Sequence, residues 1–477
     1  MLNFLKNSML YTVSTVILKI SSFILLPFYT RLLTQTELGN IYLLETAGII
    51  LGLLSSVQLK SAISRYYYDF KNDLSKIKVM YSSIVLGTML ISTPIYIILL
   101  LFGKQIFVCI DIKFFPYVAM ALGISYFNIY YEMILSLLYV EEKARRISIL
   151  SICVGIGTIV LTIILVIKSS DKLYGYLLSK FISAFIQYII FVVYSKKYFI
   201  LKIHNFKEYF SYSFQRVPMF LSSWIVTFAD RLMIYGYSGA AENALYSVGY
   251  KLGQIPDLVF QSTNRAYVPY VFDKYSNFND CNRKNVSMMA QYIFTLYIVI
   301  TFFIIIFSKE IVYILGKNYE NSVIIMVVIL LSYALNGIKL VFHCPMDYVK
   351  SYGKLKSIIW MSAAIINVAL NFICIPKYGM YGAVFATFFS YLITLLPVLF
   401  FSNKAIKIKY DFKAMLKVLG VSMLYFSLFT LKLSVLNLIL KIIASVIYLL
   451  VIIKINNLNV KDLKSIINKI LRRTQNE

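Results

Sequence analysis

The sequence predicts an all-α polytopic membrane protein of about 14 transmembrane helices: two six-helix lobes related by a pseudo-two-fold axis along the membrane normal, plus two C-terminal helices. Three observations predict it. Sixty per cent of the 477 residues are apolar or aromatic and only 14% are charged, which is too apolar for a soluble chain of this length. Apolar runs recur along the whole chain, each near the ~20 residues that span ~30 Å of hydrocarbon. Short stretches of the first half also echo the second in the same order.

The first six runs fall at 8–30, 38–59, 79–102, 115–139, 147–167 and 173–194, and the next six at 209–237, 240–264, 286–307, 321–342, 357–375 and 379–402. A last pair lies at 414–430 and 434–453. The echoes are "GNIY" with "NALY", "SAISR" with "QSTNR", "YVEEKARRISIL" with "YVKSYGKLKSII", and "LYGYLLSKFISAFI" with "MYGAVFATFFSYLI". Six spans per repeat insert both halves in the same orientation, which sets the axis along the normal and makes the interface between lobes the place to expect a substrate. The lobes run 1–200 and 201–403, and 404–477 carries the two extra helices and a basic tail.

Orientation follows from the basic residues. With the N-terminus inside, the inner loops and tails hold more than three times the Lys and Arg of the outer loops, so both termini are expected in the cytoplasm. The net charge of +26 is thus a topology signal dispersed over every inner loop. It favours contact with anionic lipid headgroups and argues against nucleic acid. The five cysteines, at 109, 153, 281, 344 and 374, form no CxxC pair, and neither a disulfide framework nor a metal site is expected. The two histidines, His204 and His343, lie near the inner surface, where an interfacial role outweighs catalysis. The first span lacks a small-residue cleavage site and is expected to be retained.

Charges inside spans carry the functional signal, because a charge at bilayer depth costs roughly 2.5–3.5 kcal/mol even on insertion scales. At 100° per residue, Arg216, Phe220, Ser223, Thr227 and Asp230 share one face of the seventh span, with Arg231 beside it. Pro218 permits a bend near its inner end. Ser247, Lys251, Gln254, Gln261 and Arg265 align on the eighth span, which Gly253 and Pro256 loosen. Lys19 sits at mid-depth in the first span and Glu45 lies in the second. Glu132, Lys180, Asp257, Lys339 and Lys441 are more scattered.

Against this stands a bland reading: Arg216, Arg231 and Lys339 snorkel, and Asp230 merely neutralises a nearby base. Lys19 and Lys251 are harder to explain so, because both sit far from either membrane face. Lys19, Arg216, Lys251 and Arg231 are the candidate substrate-binding cations, Arg216 being preferred over Arg231. Glu45 and Asp230 are candidates for counter-ion or coupling site, a choice the residues leave open. Four cations against two carboxylates attract an anion such as a pyrophosphate. Forty tyrosines offer faces for sugar rings or headgroups, alongside packing and interfacial duty.

The stretches "LLPFYTRLLTQTELGNIYLLETAGIILGLLSSVQLKSAISRYYYD", "VPMFLSSWIVTFADRLMIYGYSGAAENALYSVGYKLGQIP" and "INVALNFICIPKYGMYGAVFATFFSYLI" resemble the bacterial polysaccharide (Wzx-type) flippases of the multidrug/oligosaccharidyl-lipid/polysaccharide exporter superfamily. The third, with Asn367, Asn371, Pro376, Gly379 and Gly382, is the most specific. The resemblance implies a fourteen-helix, two-lobed transporter that moves undecaprenyl-pyrophosphate-linked oligosaccharide repeat units from the inner to the outer leaflet by alternating access. The products would be O-antigen, capsule or exopolysaccharide. It implies a cationic cavity lined by the first two helices of each half, no cofactor, coupling to H+ or Na+, and a bacterial cytoplasmic membrane setting. The partners implied are the lipid-linked oligosaccharide, membrane lipids, and a polysaccharide polymerase with other assembly proteins.

Three alternatives are weighed. A multidrug exporter of the same architecture would favour an acidic cavity for cationic drugs. A peptidoglycan-precursor lipid flippase would share the cationic cavity. A membrane glycan polymerase or glycosyltransferase would need a substantial outer catalytic loop, and the outer loops here are short, so no enzyme is expected.

Overall fold

The computed structural model describes residues 23, 25–107, 111–276 and 279–456. They are helical throughout, with no strand among the described residues, and form a multi-pass membrane protein. Eleven described helical stretches are long and apolar enough to cross a bilayer. Two of them, Phe206–Ser276 of 71 residues and Gly353–Ala405 of 53, exceed one crossing. Each contains a break at a glycine with positive φ, Gly239 (φ 86) and Gly379 (φ 55). These are the points where the sequence places outer turns between paired spans. Packing divides the chain into two compact units, Met1–Ala244 and Leu245–Glu477.

In the first unit, α1 spans Leu26–Leu32 and α2 Gln35–Ser56. A capping box starts α2: the Thr34 hydroxyl accepts from the Glu37 amide, and the Glu37 carboxylate accepts from the Thr34 amide, satisfying N–H groups the first turn leaves open. Two left-handed residues, Val57 (φ 49) and Gln58 (φ 53), turn the chain into α3, Lys60–Tyr66. Then follow α4 (Leu74–Leu101, capped by Asp73), α5 (Ala119–Val140), α6 (Ala144–Lys168) and α7 (Lys172–Ser195, capped by Asp171). Since lipid is as apolar as leucine, buried hydroxyls join these helices. Ser92 pairs with Tyr130 at 2.8 Å, Tyr96 with Ser125 at 2.6 Å, Ser125 donates to the Gly48 carbonyl at 2.6 Å, and Thr162 meets Ser179 at 2.9 Å.

The extended segment after α7 is fastened along α4. Ile200 N–H donates to Ser82 Oγ and His204 N–H to Ser83 Oγ, each at 2.8 Å, and Phe206 covers Gly87 so closely that a Cβ there would lie 1.9 Å from its ring. This fastening delivers α8 (Phe206–Phe214) against α3. The backbone then breaks at Gln215–Arg216 and restarts as α9 (Val217–Trp224), with Pro218 in its first turn, where the missing N–H costs nothing. A π-helical turn, Ile225–Ala229, joins α9 to α10 (Asp230–Gly253). The single continuous stripe expected from Arg216 to Asp230 therefore needs correcting: the break at one end and the wider π turn at the other rotate the face.

The second unit contains the end of α10, α11 (Asp257–Ser276), α12 (Asp280–Ile306), α13 (Ser322–Phe342), α14 (Gly353–Ala405), α15 (Phe412–Phe426) and α16 (Val435–Ile455). Gln254–Pro256 separates α10 from α11, at the point the sequence marks as loosened. The two limbs of α14 are tied by Asn367 donating to Thr387 Oγ1 (3.3 Å), while Asn371, on the same limb as Asn367, donates to Asn367 Oδ1 (3.1 Å). Gly382 packs where a Cβ would lie 2.4 Å from the Cys374 carbonyl oxygen. The last helix is fixed to α12 at both ends. Lys441, fully buried, donates to the Ile306 carbonyl (2.9 Å) and to Glu310 (2.7 Å), and Asn456 Oδ1 accepts from Gln291 and Thr295.

Candidate functional site

Helix α3 places Lys60, Ser61, Ser64 and Arg65 at helical spacing, with Tyr68 one turn beyond. These side chains meet Ser136 of α5 and Tyr212, Arg216 and Phe220 around the break that precedes α9. Together they line a cleft of ≈ 560 Å³ in the first unit, a volume typical of small-ligand sites.

The cations in it differ in what they already hold. Lys60 is ion-paired with Glu132 of α5, and Arg65 with Asp69 at 2.7 Å. Arg216 has no carboxylate partner among the described residues. Its guanidinium stacks on Tyr212 at 4.5 Å, an arrangement that leaves the edge N–H groups free for an oxyanion. Tyr66 stands edge-on to both Tyr209 (4.9 Å) and Tyr212 (5.6 Å), and Arg65 lies 5.6 Å from the Tyr66 ring. Arg65 and Arg216 are thus mounted on an aromatic wall, with Lys60 beside them in the cleft lining. Burial first, and the Glu208 carboxylate next, push the Tyr66 phenol up to about 12, so it stays a neutral donor. Ser61 Oγ is buried without a hydrogen-bond partner among the described residues.

The other predicted residues are placed as follows. Lys19 lies outside the described residues. Asp230 is fully buried and its Oδ1 accepts from the Arg231 amide at 2.8 Å, while Arg231, 8% exposed, stacks over Phe228 at 4.9 Å. The Asp230–Arg231 pair is thus built into the helix, apart from the cleft that contains Arg216. Lys251 is half-buried in the second unit. Glu45 accepts from the Tyr176 hydroxyl at 2.7 Å, with Tyr29 edge-on to Tyr176 at 5.4 Å and Lys180 5.4 Å above the same ring.

Lys60 and Arg65 are absent from the sequence-derived candidates, because their position after the second span reads as ordinary inner-loop charge. The spacing 60, 61, 64 and 65 on a seven-residue helix is the available signal. In the second unit, buried Lys339 rests over Tyr391 (4.4 Å) and Trp360 (5.5 Å) and donates to Thr394 (3.2 Å). That is aromatic shielding of a buried cation.

The fold is similar to that of the lipid II flippase MurJ in its inward closed conformation, with a TM-score of 0.73 and 18% identity, covering 94% of this chain and 99% of that one. It is also similar to a multidrug resistance MATE family transporter of the MOP superfamily in its inward-facing conformation, with a TM-score of 0.60 and 12% identity over 84% and 99% of the two chains. An all-α, multi-pass membrane protein with the fold shared by these two structures is therefore the class that the fold defines. The chain belongs to the polysaccharide biosynthesis protein family, whose model matches residues 4–274. The Lsg locus putative protein 1 of Haemophilus influenzae is 23% identical over 424 residues, 84% of this chain and 98% of that protein. An uncharacterized membrane protein of the same organism is 22% identical over 378 residues, 76% and 87%. The resemblance to polysaccharide flippases of the superfamily, drawn from the sequence, is supported by both the family match and the fold.

Proposed function

We propose that the protein flips undecaprenyl-pyrophosphate-linked oligosaccharide repeat units from the inner to the outer leaflet of a bacterial cytoplasmic membrane by alternating access, for O-antigen, capsule or exopolysaccharide assembly. The observation that carries this reading is the Arg216 cleft: a cation without a carboxylate partner among the described residues, mounted on tyrosines beside two further cations. A pyrophosphate supplies the oxygens such a cluster lacks, and sugar rings stack on exposed aromatic faces. Lys60, Arg65 and Arg216 stand at the end of the helices that the distribution of basic residues assigns to the cytoplasm, with both termini on that side. That is where a substrate made in the cytoplasm would first be met.

Lys19 and Lys251 would be further cations for the anionic headgroup, and Glu45, held by Tyr176, would be the site coupled to H+ or Na+. A polymerase and other assembly proteins would receive the product. A peptidoglycan-precursor lipid presents the same pyrophosphate, and the family match to polysaccharide biosynthesis favours the oligosaccharide. The test is surface glycan in a deletion strain. The wild-type gene should restore it, whereas Arg216→Ala, or alanine at both Lys19 and Lys251, should not. Full restoration by both variants would remove the assignment.

A further inference from the structure

We infer that Glu132 is an internal stand-in for the substrate's phosphate: it occupies Lys60 in the empty cleft, yields it when an anionic headgroup binds, and reclaims it to expel the headgroup. The inference rests on the flippase reading above and adds the residue that makes binding reversible.

The two ion pairs of the cleft differ in kind. Arg65 and Asp69 are four residues apart on one local segment, so the pair travels together. Lys60 and Glu132 lie 72 residues apart on α3 and α5, so a small displacement of one helix separates them. Glu132 also stands well inside the span 115–139, where a carboxylate is costly unless it faces a partner or a wet cavity. Here it faces a partner at the cleft's edge: Lys60 and the helix neighbour Ser136, one turn on, line the cleft, and the Lys60 and Glu132 side chains are 34% and 53% exposed. At that exposure the pair contributes little to folding, which leaves its placement to be explained by the site.

The geometry also answers a need of transport. A cleft offering three uncompensated cations would bind a pyrophosphate too well to let it go. Binding gains only the difference between the phosphate–Lys60 contact and the Glu132–Lys60 contact it replaces. Arg216, which has no such competitor among the described residues, supplies the net attraction. Glu132 is therefore a positioning residue that acts through Lys60.

The experiment uses the full chain in lipid nanodiscs with inorganic pyrophosphate as probe, its affinity read by calorimetry. Removing the competitor with Glu132→Gln should tighten binding about three- to five-fold, the range of a half-exposed pair. Glu132→Asp should stay near wild type, and in a Lys60→Met background Glu132→Gln should change nothing. A gain that persists without Lys60 would show a general field effect and overturn the inference, as would unchanged affinity in Glu132→Gln. Glu132→Ala, with a melting curve beside it, serves if the glutamine variant does not fold. Arg216→Ala separates the two ideas: if it weakens pyrophosphate binding while Glu132→Gln does nothing, the site stands and the competitor falls. If it leaves binding unchanged, both fall.

Discussion

At the scale of single residues, Arg216 and Arg231 look alike in the sequence and the structure separates them. Both are arginines in one apolar run, yet Arg216 edges a cleft while Arg231 is packed beside buried Asp230. Charge-assisted hydrogen bonds contribute about 1.5–3 kcal/mol, so Arg216→Ala should weaken pyrophosphate binding roughly 10- to 100-fold with normal folding. Arg216→Lys, which keeps the charge but loses the fork and the stacking, should fall between. Arg231→Ala should instead lower the yield of folded protein. Equal binding losses in both variants, measured on folded material, would contradict the distinction. A second residue-scale prediction concerns Asp347, in the short connection between α13 and α14. Burial alone would raise its carboxyl, but hydrogen bonding and charge from His343, 2.9 Å away, and from Lys356 outweigh that and hold it below the ordinary value. A depressed folded-state value means the stabilisation is complete above the unfolded carboxylate range, about pH 4, and is lost as pH falls through the lower folded value. Asp347→Asn should thus melt below wild type at neutral pH, and the gap should close in acid; a gap independent of pH would refute the linkage.

Among the elements, α2 offers a paired test of close packing. A Cβ at Gly39 would lie 1.8 Å from the Ala240 carbonyl oxygen, and Asn243 Nδ2 donates to the Gly39 carbonyl at 2.9 Å. A Cβ at Gly48 meets its nearest atom at an ordinary 3.6 Å. Gly39→Ala must push backbone aside, and overpacking of this kind costs typically 1–3 kcal/mol. Gly48→Ala should be neutral or gain up to about 1 kcal/mol from helix propensity. Melting of the two variants in the same detergent checks the contrast, and equal shifts would deny it. These positions also show what the sequence discloses and what it hides. Helix starts at Gln35, Leu74 and Lys172 follow from Thr34, Asp73 and Asp171, and the breaks at Gly239, Gly379 and around Pro218 follow from residue chemistry, since each cue is local. The π turn at Ile225–Ala229 carries no residue that demands it. The cleft depends on two consecutive left-handed residues, Val57 and Gln58, neither a type that favours that conformation. Lys60 and Arg65 therefore read as loop charge, although the turn leads into α3, which sets Lys60 against Glu132 of α5 and Arg65 in the lining of the same cleft as Arg216.

For the molecule as a whole, the fold class was legible because the bilayer imposes it: only helices or closed barrels satisfy every backbone group in hydrocarbon, and runs of helix length recur from end to end. Under the proposed function, what the chain carries would be set by something less visible, the sign of the charge its cleft leaves uncompensated. With Lys60 and Arg65 matched by Glu132 and Asp69, and Arg216 without a carboxylate among the described residues, the cleft is a net cation and should select by anionic charge. In proteoliposomes, a saccharide on a polyprenyl pyrophosphate should be flipped and bound at least about ten-fold more tightly than the same saccharide on a polyprenyl monophosphate. The second phosphate adds one more charge-assisted contact, worth about 1.4 kcal/mol or more. Raising salt should narrow the difference only in part, because the cleft shields its contacts from screening. Lipophilic cations, the cargo expected of a multidrug exporter, should neither compete nor be extruded, since the cleft is lined by Lys60, Arg65 and Arg216, which repel them. Competition by such a cation at micromolar concentration, or indifference to the number of phosphates, would remove the electrostatic basis of the proposed cargo and leave the superfamily fold without it.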